Sequence, residues 1–184
     1  MQTLIPQPHP PQVSATLPDP AREKCAFARW QPSRRLLRAI RRYQRWHGHL
    51  GPIGFIVSKL AVLSHRFWSV ITGADIPINT RIGIGLLLPH PNGIVIYPDV
   101  VIGPNCLLFQ QVTLGVGGTL PGSPTLGGHV DVGAGAKILG GVSIGDHARI
   151  GANAVVLCDV PAGATAVGVP ARIILQTQPG DASP

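Results

Sequence analysis

Aromatic and charged residues are both scarce in this chain, at 5% and 12% of its 184 residues. A core of ordinary size must therefore be built from Val, Ile, Leu and Ala. Cysteine is scarce too, and Cys25, Cys106 and Cys158 have no paired spacing. An odd number of cysteines argues against a disulfide-stabilised secreted fold, so we expect a protein of the reducing cytoplasm.

Acidic residues are nearly absent from the first 74 positions, which hold eleven Lys and Arg against Asp19 and Glu23. The remaining positions hold four basic residues against six acids, so the two parts carry about +9 and −2. A basic block of this kind can favour nucleic acid, acidic lipid or a phosphorylated ligand. No aromatic residues alternate with the charges as a nucleic-acid platform requires. We therefore expect a solvated helix face and no nucleic-acid partner.

Composition divides the chain into four segments. Residues 1–20 contain six prolines and no Lys or Arg, which matches neither a secretory signal nor a transit peptide and predicts a disordered arm. Residues 21–72 form a basic α-helical region. Residues 73–176 form the main domain, and residues 177–184 form a tail.

The basic region is predicted to contain two amphipathic helices. The first begins near Ser33 and ends at Gly48, and the second covers about 53–71. Their apolar faces are Leu36, Leu37, Ile40 and Tyr43 in the first helix, and Ile53, Ile56, Leu60, Leu63, Phe67 and Val70 in the second. Lys59 and Arg66 interrupt the second helix, so it contains no uncharged run long enough to span a bilayer. A packed helix is therefore the favoured interpretation. Attachment to a membrane surface is the weaker alternative.

From residue 74 onward an aliphatic or similar residue recurs at every sixth position. The first series is Ile76, Ile82, Leu88, Ile94, Val100, Cys106 and Val112. It breaks across 115–125 and resumes, in a new phase, as Leu126, Val132, Ile138, Ile144, Ile150 and Val156. In the second series the residue four places later is always small and apolar. Thirteen such hexads predict a structural repeat.

A period of six fits neither an amphipathic helix nor a simple hairpin. It fits a coil whose sides are short strands and whose corners are turns, with an aliphatic residue of each side pointing inward. Three sides make a coil of about 18 residues, and coils stack about 4.8 Å apart. The sequence therefore predicts a mainly β fold, a parallel β-helix preceded by a short α-helical N-terminal region.

These hexads resemble the hexapeptide-repeat acyltransferases, and within them the serine acetyltransferase group. The similar blocks lie in the same order between residues 73 and 174 and read GADI, IGIGLLLPHPNGIVI, QQVTLG, VGAGAKILGGVSIGDHARIGANAVVLCDVP and AVGVPARII. The resemblance implies a left-handed parallel β-helix, acetyl-CoA as the donor and a role in cysteine biosynthesis. It also implies a homotrimer with active sites in clefts between neighbouring β-helices.

The resemblance implies that His90, in PHPNGIVI, is the catalytic base and that Asp75, fifteen residues earlier in GADI, orients it. Acetyl transfer from a thioester to an alcohol requires removal of the hydroxyl proton, and neutral imidazole with a pKa of about 6.5 suits this step. The repeat alone stacks Asp75 against Gly93, which brings the two side chains near each other. A lone histidine on an apolar coil is otherwise a structural residue, so the assignment depends on this spacing and on the flanking blocks.

Block matching also implies a donor site along one edge of the β-helix, with Gly115, Ala134 and Ala152 as its small residues. Small side chains let a pantetheine arm approach the backbone closely. Lys137 and Arg172 are the candidates for contacts with the CoA phosphates, and plain surface charge is the equal alternative for both.

Loop 115–125, GVGGTLPGSPT, occupies the place of the family's substrate-facing loop. The resemblance implies acceptor contacts from Ser123 and from Asp19 in DPA. Gly122 and Ser123 replace the family's Arg-His pair, however, and Pro89 replaces the acid that precedes the catalytic histidine. The resemblance makes serine the expected acceptor. Because the replaced residues grip the charged ends of serine, a sugar or polysaccharide hydroxyl, which needs them less, is the alternative.

Two other interpretations remain open. A γ-type carbonic anhydrase uses this repeat with three histidines around zinc, whereas His129 and His147 stand 18 residues apart with no third ligand in register. We expect those two to form a surface column and the protein to bind no metal. A β-helix scaffold without activity is the other alternative. Cys106 occupies an inward position and Cys158 has no visible base, so we expect direct transfer and no acyl-enzyme.

Overall fold

The computed structural model of the protein describes residues 13–25, 29–49 and 51–175. The first twelve residues of the predicted arm and the predicted tail over 177–184 lie outside the described residues. Within the described part, a helical hairpin is followed by a long series of very short strands.

The helical elements are a 3₁₀ turn at Pro20–Glu23, helix α1 at Pro32–Trp46 and helix α2 at Pro52–Thr72. Each strand is two or three residues long. The strands are β1 Arg81–Ile82, β2 Val95–Ile96, β3 Val101–Ile102, β4 Leu107–Leu108, β5 Thr113–Gly115, β6 Thr125–Leu126, β7 Asp131–Val132, β8 Lys137–Leu139, β9 Ser143–Ile144, β10 Arg149–Ile150, β11 Val155–Val156, β12 Thr165–Val167 and β13 Arg172–Ile174.

The strands form three parallel sheets, which are the three sides of a triangular coil. Sheet I contains β1, β3, β6 and β9, sheet II contains β4, β7, β10 and β12, and sheet III contains β2, β5, β8 and β11. Strand β13 adds to sheet II antiparallel to β12. From β1 to β12, consecutive strands lie on different sides, and strands one coil apart pair with each other. The predicted parallel β-helix is therefore confirmed.

Three columns of turns join the sheets. Corner A leads from sheet II to sheet III through residues 88–94, 109–112, 133–136 and 151–154. Corner B leads from sheet I to sheet II through residues 83–86, 103–106, 127–130 and 145–148. Corner C leads from sheet III to sheet I through residues 97–100, 116–124 and 140–142.

The coils differ in length, and the strand register locates the extra residues. Leu87 bridges Leu107, twenty positions later. Val95 pairs with Thr113, eighteen positions later. Two additional residues therefore lie between 87 and 95, so the first turn of corner A is wider than the turns below it.

This widening changes the phase of the hexads. The inward residues of two successive sides are Leu88 and Ile96, which are eight positions apart and both buried. The predicted unbroken phase up to Val112, with its change at 115–125, is therefore wrong. Across that loop Val101 and its partner in β6 are 24 positions apart, so the loop adds one whole hexad and keeps the phase.

Two residues of each side fill the interior, one from the strand and one from the turn before it. Val130 and Val132 are both fully buried, and the same pairing recurs down the coil. Cys106 fills one of these turn positions, and burial raises the pKa of its thiol to about 11. The thiol is thus neutral at cellular pH and packs as a small apolar group, as predicted.

Helix α1 covers the first coil with the apolar face that its sequence predicts. Three of its predicted apolar residues are fully buried, namely Leu36, Leu37 and Ile40. On the same helix, the Arg41 guanidinium pairs with the Glu23 carboxylate at 2.8 Å and donates to the Gly83 carbonyl at 2.7 Å. This pair ties the 3₁₀ turn, α1 and the start of the coil together.

Helix α2 ends at Gly73, whose left-handed conformation (φ 62°) turns the chain into the first coil. Its buried residues are Gly54, Ala61 and Thr72. The predicted apolar face instead points to solvent, because its six residues, Ile53, Ile56, Leu60, Leu63, Phe67 and Val70, are 51% to 82% exposed. The packed helix that the sequence favours is thus seated on α1 through another face. No helix of the described ranges has the length and apolar content needed to cross a membrane.

The last part of the predicted disordered arm is packed against corner B. The buried side chain of Asn105 accepts a hydrogen bond from the Asp19 amide at 2.8 Å. It also donates to the carbonyls of Ser14 at 2.7 Å and Leu17 at 2.8 Å. Composition predicted disorder here because proline cannot join a ladder, but one carboxamide supplies the partners that these backbone groups need.

Candidate active site

The turns of corner A stack directly on one another through backbone hydrogen bonds. Gly93 donates to Gly73 at 2.8 Å, Gln111 to Asn92 at 2.9 Å, Gly135 to Gln110 at 2.9 Å and Asn153 to Ala134 at 2.8 Å. Side chains at matching positions of successive turns are therefore about 4.8 Å apart. Corner A is a continuous edge along which an extended ligand can lie.

His90 lies in the widened first turn of this edge, between Pro89 and Pro91. Its ring is exposed, whereas the aliphatic neighbours Leu88 and Ile94 are buried. Because each proline fixes its own φ, the turn is restrained although it is longer than the others. The structure thus exposes His90 to solvent, and it is not a core residue.

Asp75 lies at the same end of corner A, at the start of the first coil. It bridges Val95 in parallel, its amide donates to Ile94 at 2.8 Å and its carbonyl accepts from Ile96 at 2.9 Å. The register thus stacks Asp75 on Val95, two positions beyond the predicted Gly93. Its side chain is exposed, as is that of His90. The described residues show no hydrogen bond between the carboxylate and the ring, so the two groups share a corner without being joined.

Three of the predicted donor-binding residues follow His90 down corner A. Ala134 and Ala152 lie in the third and fourth turns, and neither side chain extends beyond a methyl group. Lys137 opens the adjacent strand, and its Nζ donates to the Gln111 carbonyl at 2.6 Å. Three coil spacings separate the turn of His90 from that of Ala152, a distance of roughly 14 Å.

Arg172 and Gly115 occupy different surroundings. Arg172 is exposed and pairs with Val167. The next residue after Val167, Gly168, accepts a hydrogen bond from the Val155 amide at 3.0 Å. Arg172 therefore lies at the lower end of corner A. Gly115 is buried at the far end of its strand, toward corner C. The structure therefore brings Arg172 near the predicted donor edge and leaves Gly115 away from it.

The predicted acceptor residues do not converge with His90 within one chain. Asp19 lies on corner B, where its amide donates to Asn105. Its carboxylate caps the 3₁₀ turn by accepting from the Ala21 amide at 2.9 Å. Ser123 lies in the loop of corner C. His90, Asp19 and Ser123 thus occupy the three different corners of the triangle.

Sequence reasoning missed a cleft beside the widened turn. It has a volume of about 360 Å³, and its walls include Trp30, Pro32, Arg34, Pro89 and Pro91. Trp30, one of three tryptophans in the chain, is 71% exposed, which is unusual for so large an apolar side chain. A tryptophan just before the helix-starting Pro32 was the available signal, but sequence alone could not show that the start of α1 lies beside Pro89.

His129 and His147 form a pair on corner B, as the predicted column requires, but they are half-buried and bonded to each other. Their Nδ1 atoms are 2.9 Å apart, and both residues have left-handed backbones, with φ of 52° and 59°. Burial lowers the pKa of His129, against the opposing effect of the Asp131 carboxylate. Within the described ranges, no group of three His, Cys, Asp or Glu side chains is placed to hold a metal ion.

Comparisons with known proteins show which family the chain resembles. A family model described as bacterial transferase hexapeptide (six repeats) matches residues 123–158. Serine acetyltransferase of Synechococcus elongatus is 45% identical over 118 residues, which are 63% of this chain and 48% of that protein. Serine acetyltransferase of Helicobacter pylori strain J99 is 45% identical over 124 residues, which are 66% of this chain and 70% of that protein.

Solved structures of serine acetyltransferases superpose on the chain. The soybean apoenzyme matches with a TM-score of 0.65 and 37% identity over 78% of this chain and 57% of the soybean chain. A serine acetyltransferase in complex with CoA matches with a TM-score of 0.64 and 37% identity, covering 79% of this chain and 57% of that chain. This structural similarity supports a left-handed β-helix.

The chain spans about half the length of several of these relatives, including 48% of the cyanobacterial protein. The match to the Helicobacter protein nevertheless covers 70% of that protein's length, at 45% identity. The chain belongs to the serine acetyltransferase family of hexapeptide-repeat transferases.

Proposed function

We propose that the protein is a serine O-acetyltransferase that transfers the acetyl group of acetyl-CoA directly to the hydroxyl of L-serine. The observation that supports this most strongly is the exposed His90 in the widened turn of corner A, with Asp75 at the same corner. The named relatives, all serine acetyltransferases, support the same reaction.

In the proposed reaction, the neutral His90 ring removes the hydroxyl proton of serine while the oxygen attacks the thioester carbonyl. Asp75 holds the imidazole in one tautomer and stabilises the imidazolium that forms. A backbone N–H of the glycine-rich turns stabilises the oxyanion of the tetrahedral intermediate. Collapse of the intermediate expels the CoA thiolate, which takes the proton from His90, and O-acetylserine leaves.

The donor is proposed to lie along corner A, with its thioester at His90 and its pantetheine arm passing Ala134 and Ala152. Lys137 and Arg172 would meet its phosphates at the lower end of the edge. A CoA complex is known for one of the solved relatives. Gly115 is the weakest of the predicted donor contacts, because it is buried away from this edge.

A homotrimer is proposed as the active form. Asp19 and Ser123 lie on other corners than His90, so they can contact an acceptor at His90 only if neighbouring chains supply them. Clefts between neighbouring β-helices would bring different corners together. We propose a cytoplasmic location, which suits the odd number of cysteines in the chain.

A sugar hydroxyl is the second candidate acceptor, and the Trp30 cleft favours it. The exposed indole lies beside Pro89 and Pro91, which flank His90, and an indole face suits an uncharged ring better than a zwitterion. Pro89 and Gly122 are also uncharged, so neither side chain can pair with the charged ends of serine. Each such hydrogen bond to a charged group would contribute about 1.5–3 kcal/mol. Soybean serine acetyltransferase, by contrast, has been solved with serine bound.

Release of CoA thiol by the full chain, measured with serine and with a panel of sugars and oligosaccharides, tests the proposal. We expect transfer to serine, identified by mass spectrometry as O-acetylserine. Transfer to a sugar alone would replace serine as the acceptor. Thiol release without acetylation of any acceptor in the panel would indicate hydrolysis of the thioester. No thiol release at all would favour a non-catalytic scaffold.

A further inference from the structure

The solvent-facing side of α2 is the largest feature that acetyl transfer does not use. Its apolar stripe, defined as Ile53, Ile56, Leu60, Leu63, Phe67 and Val70, is more than half exposed at every position. Part of the stripe forms a shallow groove of about 660 Å³. Single exposed apolar residues are ordinary, but a continuous exposed stripe of this kind marks an interaction surface.

The geometry of the stripe is that of a helix lying flat on a surface. Its residues follow three- and four-residue steps, so they share one face along most of the 21-residue helix. A different face, with Gly54 and Ala61, is seated against the rest of the protein. Lys59 and Arg66 are exposed, and each immediately precedes a stripe residue, so both cations border the stripe.

The charge around the stripe decides between the available partners. Residues 29–74 contain nine Lys and Arg and no Asp or Glu. A second copy of α2 on the stripe would bring another Lys59 and Arg66 against the first pair, and repulsion between these cations would oppose pairing. A surface that is both apolar and anionic complements the hairpin in both respects.

We propose that α2 docks on an anionic lipid bilayer. The apolar stripe enters the boundary between head groups and acyl chains, while Lys59 and Arg66 extend along the surface to the lipid phosphates. The exposed arginines of α1, Arg38, Arg42 and Arg45, add attraction to the negative surface. The helix lies on the membrane and does not cross it. This proposal is independent of the acceptor and of the acetyl transfer itself.

Co-sedimentation of the full chain with vesicles tests this docking. Vesicles of phosphatidylcholine with about 30% phosphatidylglycerol should bind the protein at least tenfold more tightly than phosphatidylcholine alone, since each cation near the surface contributes roughly fivefold. Raising the salt to about 0.5 M should remove most of this preference. Equal or absent binding to both vesicles would overturn the proposal.

Two charge-introducing variants, Leu63→Asp and Arg66→Glu, assign the binding to the stripe, and Leu175→Asp is the control. Leu63→Asp should lower binding to the anionic vesicles at least tenfold, and Leu175→Asp, at a residue of matching exposure on the far end of the chain, should leave it unchanged. Arg66→Glu should lower binding to anionic vesicles with little effect on neutral ones. Both variants should melt like the parent protein because the changed residues are exposed.

Sedimentation velocity without lipid identifies the competing partner. If Leu63→Asp reduces the mass of the protein in solution and leaves vesicle binding intact, the stripe is an interface between copies of the chain, and the membrane proposal is wrong. An unchanged mass together with lost vesicle binding supports it.

Discussion

Corners A and B are built from the same hexads, yet their polar side chains differ in exposure and in hydrogen bonding. On corner B, Asn105 is buried beneath the N-terminal segment, and His129 bonds to His147. On corner A, His90 is exposed in a turn that is two residues longer. The repeat thus provides positions, and what covers a corner decides whether its histidine stabilises the fold or is available for chemistry.

Removal of the His90 imidazole should produce the largest effect. His90→Ala should lower kcat by about 10²–10⁴-fold, the usual loss for a general base. Its melting temperature should stay unchanged because the ring is exposed. His129→Ala is the matched control, and steady-state thiol release should show nearly full activity for it. Equal losses in the two variants would remove the distinction between the corners.

Loss of the Asn105 carboxamide should have the reverse signature. Asn105→Ala leaves three backbone groups of the N-terminal segment without their partner, at a cost of about 2–4 kcal/mol. Urea denaturation should show this as a lower midpoint. Activity per folded molecule should fall only if Asp19, which this segment positions, contacts the acceptor. A midpoint equal to that of the parent protein would contradict the assigned role of the carboxamide.

A bulkier residue on the donor edge should affect binding more than chemistry. Ala152→Leu should raise the KM for acetyl-CoA by roughly tenfold, about 1.4 kcal/mol of lost binding, because the side chain fills the path of the pantetheine arm. Ala162→Leu, at an exposed alanine beside the histidine pair, is the control and should keep the parent KM. A raised KM in both variants would indicate a general loss of structure.

The smallest expected effect is a pH dependence of stability from corner B. Because burial lowers the pKa of His129 in the folded protein, this ring resists protonation there more than in the unfolded chain. Its contribution to stability is complete above the unfolded value of 6.5 and is lost as pH falls through the lower folded value. The melting temperature should therefore decrease below about pH 6.5, and His129→Ala should reduce that slope. An unaltered slope would assign the acid sensitivity to other groups.

The hexads predict the fold because an inward aliphatic residue is required on every side of the coil. They could not locate the widened turn, since Ile94 and Ile96 are both buried and either one continues a plausible series. The exposed His90 followed from the flanking blocks, whereas the separation of Asp19 and Ser123 depends on which corner each segment reaches. Periodicity in α2 likewise predicts an apolar face without showing whether anything covers it.

A crystal structure of the protein with CoA tests the central claim most directly. It should show the CoA thiol within hydrogen-bonding reach of the His90 ring and the pantetheine arm running along corner A past Ala134 and Ala152. CoA bound along corner B or corner C, with its thiol remote from His90, would contradict the account.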